Sequence, residues 1–259
     1  MKTCDVVAHI TQWLKDYAKK SNTSGFVVGV SGGIDSAVTS TLAAGTGLPV
    51  ICVEMPIHQS HNQVSRARKH IEALMEKYPN VSRQEVELTG VFEQILTAFP
   101  ETPDSADRQM SLVNTRARLR MTTLYYFAAL EKKIVVGTGN KVEDFGIGFF
   151  TKYGDGGVDL SPIADLNKTE VYALGKALGV IDAIMVAPPT DGLWGDDRTD
   201  EDQIGASYPE LEWAMGFDGD DSDLTARQRE VLSIYRRYHN ANRHKMEPIP
   251  VCLIPEALR

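Results

Sequence analysis

The chain has 259 residues, 42% of them hydrophobic and 24% charged, which suffices to bury a sizeable core in the proportions of an ordinary soluble protein. Its formal charge of −8 argues against a broad nucleic-acid or membrane-surface partner, since both select for a clustered basic face. Three cysteines, Cys4, Cys52 and Cys252, are odd in number and far apart, which excludes a disulfide framework and a Cys-x-x-Cys zinc or redox site.

No apolar run of signal-peptide length precedes Val27, and none approaches the roughly 20 residues needed to span a bilayer, so a cytoplasmic location is expected. Residues 3 to 20 place Val6, Ile10, Trp13, Leu14 and Tyr17 at helical spacing, predicting an amphipathic helix. The run FVVGV at 26 to 30 is short, β-branched and continuously apolar, as a strand covered on both faces requires. Similar runs at 49 to 55, 85 to 88 and 133 to 137, with helix-length segments between them, predict a central parallel sheet with helices on both faces, an α/β fold.

A long helix is expected over 107 to 130, burying Met110, Val113, Ala117, Met121, Leu124 and Ala128 and carrying Asn114 and Arg118 on one flank. A Gly-rich loop follows from 137 to 160, then a helix at 168 to 179 and the segment APPT at 187 to 190. The acidic, poorly periodic stretch from 191 to 206 reads as a surface loop. The run DGDDSD at 218 to 223 reads as a turn and cap for a last helix that ends near Asn242 and buries Leu224, Val231, Tyr235 and Tyr238. His58 and His61 lack a third ligand nearby and read as loop residues. With no internal repeat and no linker, residues 1–259 are expected to form a single domain.

The segment SGGIDSAV at 31 to 38 carries the chemistry, because it lies directly after a predicted strand and before a predicted helix. Gly32 and Gly33 allow a tight turn and close approach to a ligand, and the amides around Ser36 to Val38 are expected to be free donors at the helix start. Such a terminus carries about half a positive charge and suits phosphate. Ser31 and Ser36 add hydroxyls. A carboxylate beside a triphosphate is repelled unless a cation lies between them, which makes Asp35 a natural Mg²⁺ ligand. No Gly-Lys-Ser/Thr follows, so this is not a Walker loop.

This run resembles the pyrophosphate loop of the N-type ATP pyrophosphatases, which cleave ATP between its α and β phosphates and adenylate a substrate oxygen. The block GTGNKVEDFGIGFFTKYGDGGVDLSPIADLNKTEV at 137 to 171 looks specifically like ammonia-dependent NAD synthetase, and the likeness extends from the loop to the HK pair at 244 to 245. It implies an adenine nucleotide alpha hydrolase-like fold and ATP as co-substrate, contacted by Val30, Ser31, Gly32, Gly33, Ile34, Asp35, Ser36, Ala37, Thr138, Lys168 and Thr190. It implies Mg²⁺ on Asp35 and Glu143, with Asp144 as the other candidate because the chain is one residue longer there than some relatives. Deamido-NAD falls by the same resemblance to Arg118, Lys152, Asp159, His244 and Lys245. Asp35 and Lys168 become the catalytic pair, joined by Asp159 to orient ammonium or accept its proton.

The implied reaction is amidation of deamido-NAD to NAD through an adenylated carboxylate, in a symmetric homodimer. A glutamine-dependent relative carries a further amidase domain that 259 residues do not also hold, so free ammonia is the expected nitrogen donor. A thiolating or RNA-modifying pyrophosphatase is the alternative. It would be expected to show catalytic cysteines or a basic RNA surface, and neither is visible in the sequence.

Overall fold

A computed structural model describes residues 1–59, 61–189 and 199–259. Four short strands, β1 (Phe26–Gly29), β2 (Val50–Glu54), β3 (Val81–Glu85) and β4 (Ile134–Val136), form one parallel sheet in the order β3-β2-β1-β4. β1 is central, with Phe26 opposite Val50 on one side and Ile134 on the other. All residues of β2 and β4 are buried, as continuous apolar runs covered on both faces should be. The chain runs outward from β1 to β2 to β3 and then returns to lay β4 on the other side of β1. The carboxyl ends of β1 and β4 therefore flank the topological switch point, where open α/β sheets bind ligands.

Helices α1 (Thr3–Lys20), α2 (Ile34–Gly45) and α3 (His61–Lys77) pack on one face, α4 (Thr89–Ala98) and α5 (Ala106–Glu131) on the other, and α6 (Lys168–Leu178) with α7 (Asp182–Met185) return to the first. Leu14, Leu42, Ile71 and Leu174 fill the first layer, and Ile51, Val53, Phe92 and Ala128 the second. A further apolar cluster joins Val142 and Ile147, in a π-helical turn after β4, to Ile204, Leu211 and Val231 of α8 (Asp200–Ile204), α9 (Tyr208–Gly216) and α10 (Ala226–Met246). π-Helical turns are uncommon and cluster at functional sites.

Several expectations are corrected. The third strand is Val81–Glu85, not 85 to 88; it is an edge strand with only Val81 buried, so it lacks the apolar run that marks its neighbours. Val86 and Leu88, which prompted the later placement, pack into the α4–α5 layer instead. Trp13 and Tyr17 are exposed rather than buried, because the buried stripe of α1 runs through Ile10, Leu14 and Ala18, and Met110 on α5 is exposed as well. The last helix reaches Met246, and its cap is Thr225, while Asp220 caps the short 3₁₀ turn Asp221–Asp223. Of the acidic stretch, 199 to 206 contains α8 with a capping box from Thr199 and Asp202, not only loop; residues 191 to 198 lie outside the described residues.

Beneath α2, His70 of α3 is fully enclosed and shares a hydrogen bond of 2.9 Å with Ser40. Burial pushes its pKa down from its ordinary 6.5 to about 4. The folded protein thus keeps His70 neutral where the unfolded chain takes up a proton. Its contribution to stability is complete above pH 6.5 and is lost as the pH falls toward 4, by about 3 kcal/mol. Urea unfolding of the native chain and of His70→Gln at pH 7 and pH 4.5 checks this: the stability difference between the two should shrink at the lower pH. A difference unchanged between the two pH values would contradict it.

Candidate functional site

The end of β1 builds the site. The Val30 N–H still bonds to the Val53 carbonyl at 2.9 Å, after which the chain leaves the sheet. Gly32 has φ +83, and a Cβ there would stand 2.8 Å from the Gln63 carbonyl oxygen, so the loop presses against α3 with no room for a side chain. The Ser36 hydroxyl donates to Gly33 O at 3.0 Å and accepts the Ser31 N–H at 3.2 Å, which ties the loop to the first turn of α2. The first intrahelical bond runs from the Ala37 N–H to Gly33 O at 3.1 Å. The amides that lack an intrahelical partner are therefore those of residues 34 to 36, not 36 to 38. Ser31, Gly32, Gly33 and Asp35 line a cavity at the switch point together with Thr138 and Lys168.

Lys168 opens α6 directly after Asn167, whose N–H donates to Glu170 Oε2 at 2.9 Å, and only 3% of Lys168 is exposed. Its Nζ donates to Asp35 Oδ2 at 2.6 Å and to Glu143 Oε1 at 2.8 Å. Two carboxylates and one ammonium thus meet where little water reaches, leaving one net negative charge for a further cation to balance. Burial alone would pull the Lys168 pKa down, but the two carboxylates overcome it and hold the ammonium charged. Burial likewise raises Asp35, and Lys168 only partly offsets this. Glu143 resists the same burial because Lys168, the Tyr208 hydroxyl and Asn140 all stabilise its charge, so it lies below its ordinary range.

Two of these residues carried no role in the sequence. Asn140, fully buried, donates to Asp35 Oδ1 at 3.1 Å, and its own carbonyl caps the N–H groups of Val142 and Glu143 at 3.1 Å each. It orients one carboxylate directly and the other through the π-helical turn. Tyr208, at the start of α9, donates to Glu143 Oε1 at 2.6 Å. Asn140 stood inside the GTGNK motif and was within reach of sequence reasoning. Nothing local marked Tyr208.

Asp144, the other metal candidate, lines the same cavity with its carboxyl packed against Gly139, and burial beside Glu143 raises its pKa well above the ordinary range. Asp155 also lines the cavity, and no ion pair holds it among the described residues. Asp159 is placed differently. Its Oδ1 accepts from the Tyr125 hydroxyl at 2.9 Å and its Oδ2 from the Val135 N–H at 2.9 Å, at the edge of β4 facing α5, and it is not among the cavity residues. The structure does not bring Asp159 to Lys168.

Arg118, Lys152, His244 and Lys245 form a second, continuous group. Arg118 donates to Lys152 O at 3.3 Å, Lys152 Nζ to His244 O at 2.9 Å, and Lys245 Nζ to Phe150 O at 2.7 Å and to Gly148 O. Lys245 also lies 4.9 Å over the Phe150 ring. α5, the loop after the π-helical turn and the last turn of α10 are stitched together by these cations beside the cavity. Val30, Ile34 and Ser36 belong to the cavity wall, Ala37 packs behind it in the core, and Thr190 lies outside the described residues.

Residues 6–248 match the family model of NAD synthase. An NH(3)-dependent NAD(+) synthetase of Syntrophomonas wolfei is 35% identical over 256 residues, which cover 98% of each chain. One of Carboxydothermus hydrogenoformans is 36% identical over 91% of this chain and 92% of its own. Among solved structures, an NMN synthetase from Francisella tularensis superposes with a TM-score of 0.84 at 32% identity, covering 99% of both chains.

Proposed function

This chain belongs to the NAD synthase family, and we propose that its Asp35–Lys168–Glu143 cluster serves the ATP-dependent amidation of deamido-NAD to NAD by ammonia, with release of AMP and pyrophosphate. The observation that carries this reading is the convergence of two carboxylates on one buried ammonium at the mouth of a phosphate-binding loop. A resonance-stabilised carboxylate does not react with ammonia. Attack of that carboxylate on the α phosphorus of ATP makes a mixed anhydride and expels pyrophosphate; ammonia then adds to the acyl carbon and AMP leaves. The chain's part is to bind the triphosphate at the amides of residues 34 to 36, to bring Lys168 to the phosphates, and to hold the nucleotide acid beside Arg118, Lys152 and the His244–Lys245 pair.

Mg²⁺ fits this donor set. Asp35 and Glu143 are hard oxygen ligands already within reach of one cation, whose position the Lys168 ammonium now fills, and the ion would offset the charge on the phosphates. The ammonium role moves from Asp159, whose two oxygens are engaged at the sheet edge, to Asp155, which lines the cavity, accepts the Thr151 N–H on Oδ1 at 3.0 Å and has no ion pair among the described residues. Asp155→Asn should raise the KM for ammonium at least tenfold while the KM for ATP stays within about twofold. An unchanged ammonium KM would remove Asp155 from this role.

The proposal takes residues 1–259 as one NAD synthetase domain that pairs as a homodimer in the cytoplasm, with deamido-NAD near the subunit interface. The exposure of Tyr126 (62%) and Leu130 (64%), one turn apart on α5, supports a protein partner for that end of the helix. No described helix is long and apolar enough to cross a membrane. The likeness to an NMN synthetase gives a second reading in which the acid is a mononucleotide. ATP–pyrophosphate exchange separates the two: exchange dependent on deamido-NAD supports the first, and exchange with the mononucleotide acid alone supports the second.

A further inference from the structure

Tyr208, which no sequence motif marked, touches both the Glu143 carboxylate and the Lys168 ammonium. It is 3% exposed. Its hydroxyl donates to Glu143 Oε1 at 2.6 Å, the same oxygen that Lys168 reaches at 2.8 Å, and lies 3.3 Å from Asp200 Oδ2. Its ring face carries the Lys168 ammonium 4.7 Å from the centroid. Its backbone N–H is anchored to Glu201 Oε1 at 2.8 Å, and the neighbouring Asp200 N–H bonds to Pro189 O at 3.1 Å. One side chain thus joins α8 and the cavity wall at Pro189 to the carboxylate and the ammonium at the centre.

We propose that Tyr208 is a positioning residue for adenylation, holding the Glu143 carboxylate in one rotamer throughout and the Lys168 ammonium beside it until a triphosphate draws that ammonium away. Two donors saturate Glu143 Oε1, while Oε2 takes no hydrogen bond among the described residues. The carboxylate therefore presents a single free oxygen to the cavity, which is what a divalent cation shared with Asp35 requires. Without the hydroxyl the carboxylate rotates, and Lys168 and the divalent cation compete for both oxygens. The inference rests on the proposed reading of Glu143 as a metal ligand, and it adds the residue that fixes that ligand's geometry.

The test uses the full chain and the isosteric Tyr208→Phe, which keeps the ring and removes only the hydroxyl. Mg²⁺ binding is followed by calorimetry on the complex with a non-hydrolysable ATP analogue, and half-saturation by Mg²⁺ and kcat are read in the assay. The expected results are an Mg²⁺ affinity weakened about tenfold, kcat lowered at least tenfold, an unchanged KM for deamido-NAD, and a melting temperature within a few degrees of the native chain. Tyr208→Leu, which also loses the ring, should lower kcat further with no further change in Mg²⁺ affinity. In a Glu143→Gln background the Phe substitution should add nothing to the loss of Mg²⁺ binding, which a merely structural role would not produce. Native Mg²⁺ affinity in a folded Tyr208→Phe protein, or full additivity with Glu143→Gln, would overturn the inference. Calorimetry reads Mg²⁺ without turnover, so loss of the amidation reading would leave this test standing on its own.

Discussion

Lys168→Met is expected to lower kcat by about a thousandfold and, at the same time, to make the nucleotide-free protein bind Mg²⁺ and be stabilised by it. Both effects follow from the two bonds of 2.6 and 2.8 Å that Lys168 makes to Asp35 and Glu143. With the ammonium gone, two poorly solvated carboxylates face one another without a counter-charge, a change that costs about 3–5 kcal/mol when a buried pair is broken. A divalent cation entering between them restores the balance. At a hundred times its dissociation constant it returns about 2.7 kcal/mol. The native protein already fills that position with its own cation and should show little response to Mg²⁺ until a triphosphate draws Lys168 away. Melting curves of both proteins against Mg²⁺ without ATP decide the point. A variant that melts at the same temperature with and without Mg²⁺ would show that the carboxylates do not form one cation site.

Asp35→Asn tests the opposite sign. The amide is nearly isosteric, keeps a partner for Asn140 and leaves Lys168 its bond to Glu143, while the cluster changes from one net negative charge to neutral. Because burial already raises the pKa of Asp35, removing its charge should change stability by no more than about 1 kcal/mol. Turnover should fall about a thousandfold, since one of two fixed metal oxygens is lost, yet metal-free ATP should bind more tightly because a repelling carboxylate is gone. Titration of ATP in the presence of a chelator, alongside the steady-state rate, gives both numbers. Near-native turnover would exclude Asp35 from the metal site.

The parts of this account that were legible in the sequence are those whose signals are local. β1, β2 and β4 announce themselves because a strand covered on both faces must be apolar throughout. The proposed phosphate loop is visible because Gly32 is demanded by its own φ and by the pressure of α3, not by a distant partner in the ligand site. β3 was misplaced because an edge strand with one buried residue carries almost no periodicity, while Val86 and Leu88 just beyond it do. The proposed reaction centre is assembled from afar. Lys168 and Asp35 are 133 residues apart, Asn140 and Asp35 105, and Tyr208 and Glu143 65. The resemblance reached the first pair because both lie in recognisable motifs; the tyrosine sits in a capping box, SYPE, that says helix start and nothing of what the ring faces. The motif that carries Asp159 says nothing of its bonds to the Tyr125 hydroxyl and the Val135 N–H, which join α5 to β4 across the sheet edge.

The most direct measurement is an assay of the purified chain with ATP, Mg²⁺, ammonium and deamido-NAD in which NAD and AMP are quantified together. The account predicts equal amounts of both, formed with ammonium salts and not with glutamine alone. AMP formed only with another acceptor, or no AMP with any acceptor, would contradict it.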